Sequence, residues 1–153
     1  MSLYISAEQK LDSFLRKGIK DYTKSRNFDF GTENRGNVSG LSPFISHRLV
    51  LEYDVVRDSL ALYPFSKIEK FIEEIFWRVY WRGWLENRPS VWEAFRNYPK
   101  PTSSDLAYVS AVNARTGIDC FDDWVEELKT NNYLHNHARM WFASIWVFTL
   151  SLP

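Results

Sequence analysis

The residues best equipped for chemistry gather in the stretch from Ile68 to Arg88, IEKFIEEIFWRVYWRGWLENR. As a helix it places Ile68, Ile72, Ile75 and Val79 on one apolar stripe. About a third of a turn away lies a second stripe, of Glu74, Trp77, Arg78 and Trp81, with Trp84 beyond. An indole carries a large apolar surface and a single N–H, so tryptophans interleaved with charge are unusual for plain solvent exposure. Two arrangements satisfy the pattern. Either the second stripe faces a ligand, or both stripes are buried and Glu74 pairs with Arg78 at i, i+4.

A second group is the turn Ser39-Gly40-Leu41-Ser42-Pro43. Ser42 at an N-cap and Pro43 at the first helical position start a helix. A glycine-containing turn that brings hydroxyls and free N–H groups to a helix start suits an anion. Most Ser-Pro starts only cap a helix, and that reading stands beside the anion site. The remaining polar groups offer less. His47, His135 and His137 lack a partner at metal-ligand spacing, and in a helix His135 and His137 would point to different faces. Cys120 has no flanking base and is expected in the core, while Asp122, Asp123, Glu126 and Glu127 read as a solvated acidic face. There is no GxGxxG or Walker A motif.

Helices must position these groups. Leu11, Phe14, Leu15, Ile19 and Tyr22 recur at helical spacing from Ala7 to about Ser25, with Lys10, Arg16, Lys17, Lys20, Lys24 and Arg26 on a basic polar face. NFDFGTENRGNVSG is a loop, and a short helix follows Pro43 to about Ala61. Pro89, Pro99 and Pro101 mark 87–104 as an irregular excursion. Further helices are expected from Ser104 to about Ala114, over FDDWVEELKT after an Asp119 cap with Phe121, Trp124, Val125 and Leu128 inward, and from Leu134 into the aromatic run. No stretch alternates as a strand would, so the fold class is all-α.

The 153 residues suit one domain with a real core, and 17% aromatic content argues against disorder. Balanced charge leaves no global field, so any nucleic-acid contact must be a local patch. One cysteine excludes an internal disulfide framework, and the apolar run from Met140 to Leu152 is short of the ~20 residues that cross a membrane. A soluble, cytoplasmic protein is expected, with no signal peptide. MWFASIWVFTLSLP is apolar on every side, which suggests cover by another subunit or by more of the same domain.

Together the segments resemble the FAD-binding helical domain of the DNA photolyase/cryptochrome family, in the family's order and over nearly the whole chain. YTKSRNF is similar to the family's Tyr-x3-Arg segment, which implies that Tyr22 holds a flavin phosphate and Arg26 contacts DNA. VSGLSPFI resembles its phosphate loop, which places Ser39, Gly40, Leu41 and Ser42 against the pyrophosphate. EEIFWRVYW resembles the segment whose Glu and Trp face a flipped lesion and whose Arg lies near the flavin, here Glu74, Trp77 and Arg78, with Trp81 on the same DNA-facing side. ARTGIDCFDD keeps Thr116, Gly117 and Asp122 of another family segment, and NYLHNHARMWFAS puts Asn136 and Arg139 where flavin and substrate are contacted.

The resemblance implies light-driven electron transfer from reduced FAD to a pyrimidine dimer in DNA, with Glu74 and Trp77 as catalytic contacts. The chain also departs from the pattern. Val38 replaces a loop threonine, Phe71 a polar or tryptophan flavin neighbour, Val79 a glutamate, and Asp119 a proline. His47-Arg48 stands at a usual glycine, and Ala111 where many relatives carry an outer tryptophan of the electron relay. The segments that embrace the isoalloxazine ring are not in these 153 residues, nor is an antenna domain. A partial domain with weak flavin affinity and no repair activity of its own is therefore expected. The rival is a non-enzymatic helical interaction module, without the cofactor, that forms a homo-oligomer through its apolar C-terminal helix.

Overall fold

The computed structural model describes residues 3–99 and 105–153, and the side chains from Ile5 onward within that range. Every described regular element is helical, so the all-α class holds. Among the described residues, no helix is long and apolar enough to cross a membrane. The chain divides into two compact units, Met1–Trp92 and Glu93–Pro153.

In the first unit α1 (Leu3–Lys17) buries Ala7, Leu11, Phe14 and Leu15, the residues its periodicity selects. The long first helix expected to reach Ser25 instead breaks at Gly18, passes through a 3-10 turn at Ile19–Asp21, and resumes as α2 (Tyr22–Ser25). Glycine at this position has a steric cause. A Cβ on Gly18 would collide with the Gly36 carbonyl oxygen and lie 2.7 Å from the Phe14 ring. Only glycine lets the 27–40 loop pack this closely on α1. That loop holds a 3-10 stretch, Thr32–Asn37, and leads to α3 (Ser42–Ser46), then α4 (Glu52–Leu62) and α5 (Phe65–Glu86).

Helix α5 is the expected central helix, begun three residues earlier after Pro64. It buries Ile68, Phe71, Ile72 and Ile75 against α1, Ile19, Leu41, Ile45, Val50 and Val55. Val79 continues that stripe by spacing but is exposed, because the core ends before it; Phe71 is the core residue instead. The Phe71 ring lies 5.0 Å from Phe14 and 5.2 Å from Tyr22, the latter edge-on. Buried Ser59 and half-buried Tyr63 at this core's margin are satisfied: Ser59 Oγ donates to the Val55 carbonyl at 2.6 Å and Tyr63 Oη to Leu15 at 3.0 Å.

The irregular excursion expected over 87–104 is corrected in part: Pro89–Asn97 is a helix, α6. Pro89 at its first position has no N–H to leave unpaired, so the proline starts a helix here.

In the second unit, Asp105 caps α7 (Leu106–Val112) by accepting from the Tyr108 N–H at 3.1 Å; the expected start at Ser104 lies outside the described residues. Helix α8 (Asp119–Asn131) ends at left-handed Asn132, whose N–H closes on the Leu128 carbonyl. Of its four expected inward residues, Phe121 and Val125 are buried, Trp124 is half-buried and Leu128 is exposed. Helix α9 (Asn136–Ser144) begins two residues after the expected Leu134 and runs into a π-helical turn, Ile145–Thr149. Phe121 stacks on Phe142 at 4.6 Å, and the Trp146 N–H reaches the Pro153 carbonyl at 2.8 Å.

Two glycines make opposite predictions. Gly18→Ala should destabilise the protein by about 1–3 kcal/mol, because a backbone carbonyl blocks the new methyl. Gly83→Ala, inside α5 with open space around it, should stabilise by about 0.5–1 kcal/mol. Urea unfolding of each variant measures both; equal midpoints would contradict the packing described.

Candidate functional site

Along α5, Lys70 pairs with Glu73 and Arg82 with Glu86, but Glu74 and Arg78 do not pair with each other. Glu74 accepts from Arg26 Nη1 at 2.7 Å, across from the end of α2, so the expected Glu74–Arg78 pair is absent. Arg78 turns instead to α3 and α4: its Nη2 donates to Ser46 Oγ at 2.5 Å, and its Nε lies 3.7 Å from Glu52. Glu52 also holds Arg48 Nη1 at 2.9 Å, and Arg48 stands in the left-handed region at φ 58. Glu74 and Arg78 flank the buried stripe, so each is half-covered and each finds a counter-group on a neighbouring segment.

The tryptophans take the side of α5 roughly opposite its buried stripe, as 100° per residue requires. Trp77, Tyr80 and Trp81 are about half exposed, so burial of both stripes is ruled out. They touch edge to face in a run: Trp77 to Tyr80 at 5.5 Å, Tyr80 to Trp81 at 5.3 Å, and Trp81 to Trp84 at 5.8 Å. Arg88 stacks over Trp84 at 4.2 Å. Beside Trp77 and Tyr80, an open groove is bordered by Lys70, Glu73 and Phe76.

The turn at 39–42 is tied to α2. Asn37 Nδ2 donates to the carbonyls of Ser25 at 2.8 Å and Phe28 at 2.9 Å, which sets the turn beside the Tyr22–Arg26 segment. Leu41 is buried and pins the turn to the core, and Gly40 takes φ 59. Ser39 Oγ accepts from the Leu41 N–H at 3.4 Å, so its own hydroxyl hydrogen points elsewhere. The expected Ser42 cap is corrected: Ser42 is the first residue of α3, Leu41 precedes it, and no side chain caps the helix. Ser42 is exposed. Within the first unit, α5 thus joins Arg26 through Glu74 and α3 through Arg78, while Asn37 joins the turn to α2.

Asn136 and Arg139 belong to the second unit. They are exposed and lie three apart on the first turn of α9, on one face. The buried cap is His135, whose Nδ1 accepts from the His137 N–H at 3.3 Å. Because His135 precedes the helix, its ring stacks on His137 at 5.7 Å instead of pointing away, a correction to the expected divergence. Among the described residues, no group of three or more potential ligands could hold a metal ion. Cys120 is exposed, not in the core, since the first turn of α8 turns Phe121 inward in its place.

Asp122 is not a solvated acid. Its carboxylate accepts from Thr116 Oγ1 at 2.8 Å, Thr116 N at 3.0 Å and Gly117 N at 3.1 Å, closing the turn onto α8. Asp119, expected to cap that helix, starts it without a side-chain cap. Burial acts to raise the Asp122 pKa, but the Thr116 hydroxyl and the two N–H groups outweigh it and hold the carboxyl below its ordinary 3.8. Sequence reasoning also missed Asn37, Ser46 and Glu52. Arg78, which meets Ser46 and Glu52, lies far off in the chain, while the i, i+4 spacing of Arg48 and Glu52 and the loop composition around Asn37 were the local signals.

Two measurements check these contacts. Asp122 with a lowered folded pKa binds fewer protons than in the unfolded chain, so its stabilisation is full at neutral pH and fades as pH falls below 3.8 through the folded value. Asp122→Asn should lower the melting temperature at pH 7, and the gap to the parent should narrow in acid; a pH-independent gap would disprove the clamp. A double-mutant cycle on Arg26→Ala and Glu74→Ala should give a coupling on the order of 1 kcal/mol, more than a typical surface pair resists salt, since the side chains are only 21% and 33% exposed. Zero coupling at low salt would remove the pair from the site.

No family model matches the chain, and comparison with curated proteins and with solved structures finds no match in either; what these residues do rests on their own chemistry.

Proposed function

We propose that the chain is a photolyase/cryptochrome-like FAD-binding helical domain. One observation carries the reading most: Asn37 fastens the hydroxyl-bearing turn Ser39–Ser42 to the Tyr22–Arg26 segment, the two stretches that the resemblance assigns to the flavin phosphates. The donor set fits a diphosphate. Residues 36–45 contain two serines and no carboxylate, so an anion there meets hydroxyls and N–H groups without a like charge in the turn.

In this reading Tyr22, Ser39, Gly40, Leu41 and Ser42 bind the phosphates. Arg78, steadied by Ser46 and Glu52, lies toward the cofactor. Asn136 and Arg139 present an amide and a guanidinium from the first turn of α9. Trp77 and Trp81, exposed on α5, stack on a flipped base, with Glu74 as the polar contact beside them. Arg26 is shared between Glu74 and a DNA phosphate, so DNA binding competes with their ion pair. Bound flavin supplies light-driven electron transfer, the chemistry that splits pyrimidine dimers in the family. The protein's own part is to hold the phosphates, orient the base and exclude water.

Flavin fluorescence tests this directly. FAD should bind saturably and more tightly than riboflavin, and Tyr22→Phe with Ser42→Ala should weaken it about tenfold through lost hydrogen bonds to a charged group. No saturable change at millimolar FAD, or equal affinity for riboflavin, would sink the reading.

A second reading, a helical interaction module that self-associates, is favoured by one observation. Met140, Trp141, Val147 and Phe148 on α9 and the π-helical turn are exposed, Phe148 by 80%. Sedimentation separates the two: a colourless tight dimer supports the module, and a yellow monomer the flavoprotein.

A further inference from the structure

We propose that Lys10, on α1, is a further phosphate-binding residue of the Ser39–Ser42 turn and makes this site selective for phosphorylated flavins over riboflavin. The inference rests on the flavin reading and extends it to a residue outside the segments that suggested it. The side chain of Lys10 lies directly across Gly40. A Cβ at Gly40 would stand 2.7 Å from Lys10 Cε and 3.0 Å from its Nζ. Glycine at φ 59 therefore serves two purposes: it permits the left-handed turn and leaves the space that the lysine fills.

The ammonium stands beside the turn without a counter-charge among the described residues. Among the described residues Lys10 has no carboxylate partner, whereas Arg16 on the same helix is paired with Asp12 at 2.7 Å and Lys20 lies over the Tyr63 ring at 5.8 Å. Lysine loses much rotamer freedom when its end is fixed. The turn beside it carries the Ser39 hydroxyl, whose oxygen accepts from Leu41 so that its hydrogen is free to donate, and the exposed Ser42 hydroxyl. A positive charge, two hydroxyls and the N–H groups of a turn without acids complement one ligand chemistry, an oxyanion carrying more than one negative charge. A phosphate ester or diphosphate fits, and a neutral isoalloxazine ring does not.

The test compares Lys10→Gln and Lys10→Arg with the parent in titrations against FAD, FMN and riboflavin, with inorganic pyrophosphate as a separate probe by thermal shift. Lys10 is exposed, so both variants should fold. Lys10→Gln should weaken FAD about tenfold and flatten its salt dependence, Lys10→Arg should stay within about threefold, and riboflavin should not respond. If FAD binds the parent and Lys10→Gln equally, the Lys10 assignment falls while the flavin reading stands. If the parent binds no flavin but pyrophosphate stabilises it and not Lys10→Gln, the flavin reading falls and an anion site at Lys10 remains. If neither flavin nor pyrophosphate affects the parent, both are overturned.

Discussion

Burial of one stripe on α5 decides where everything else in the first unit stands. Ile68, Phe71, Ile72 and Ile75 are sealed against α1 and the 41–55 segment, and area removed from water is the largest favourable term available to the unit. Once that face is fixed, the others follow from the helical repeat. Glu74 and Arg78 fall on its flank, too covered to be freely hydrated and too exposed to be neutral. A charge in that position needs a partner, and the chain supplies Arg26 to one and Ser46 with Glu52 to the other. The same contacts add polar links between α5 and α2 and α3, beside the packing of Tyr22 on Phe71 and of Ile45 in the core. A polar cluster is thus a by-product of an apolar one.

The turn at 39–42 obeys a similar rule on a smaller scale. Leu41 is driven into the core, which forces its neighbours to the outside, and Gly40 absorbs the reversal at positive φ. Asn37 then replaces backbone pairing that the irregular loop lacks, satisfying two carbonyls with one amide. The second unit solves the same loop problem with an accepting carboxylate in place of a donating amide. There Asp122 gathers a hydroxyl and two N–H groups at the entrance to α8. In the first unit the hydroxyls stay outside and the amide does the holding, so the turn retains donors that the Asp122 turn has used internally.

What could be read from the residues follows from range. The all-α class, the extent of α5 and the buried faces of α1 and α8 depend on periodicity within a turn or two, and these were legible. The need for glycine at Gly18 was not, because it comes from the Gly36 carbonyl, eighteen residues away, and nothing in KGIKDY signals a collision. Pro89 misled for a different reason: three prolines in one stretch suggest a loop, but a proline in the first turn of a helix is favourable, and Pro89 takes that position. Glu74 was legible as a candidate and its partner was not, since i, i+4 spacing offered Arg78 while the fold delivered Arg26 from 48 residues upstream. The left-handed residues Arg48 and Ala114 carry no sequence signal either, being imposed by what surrounds them.

The outer face of α5 makes the strongest physical case that this surface meets something other than water. Solvent exposure alone gives no reason for Trp77, Tyr80, Trp81 and Trp84 to stand together, because each leaves apolar area hydrated. Their edge-to-face contacts recover part of that cost and restrict the rings relative to one another. Arg88 over Trp84 restrains the far end. A ring already restrained loses less freedom when a flat ligand stacks on it. Trp77, Tyr80 and Trp81 still keep about half of their area uncovered, and flat apolar area is what a base or an isoalloxazine can use. This half-exposed aromatic surface is the physical ground for the stacking proposed for Trp77 and Trp81.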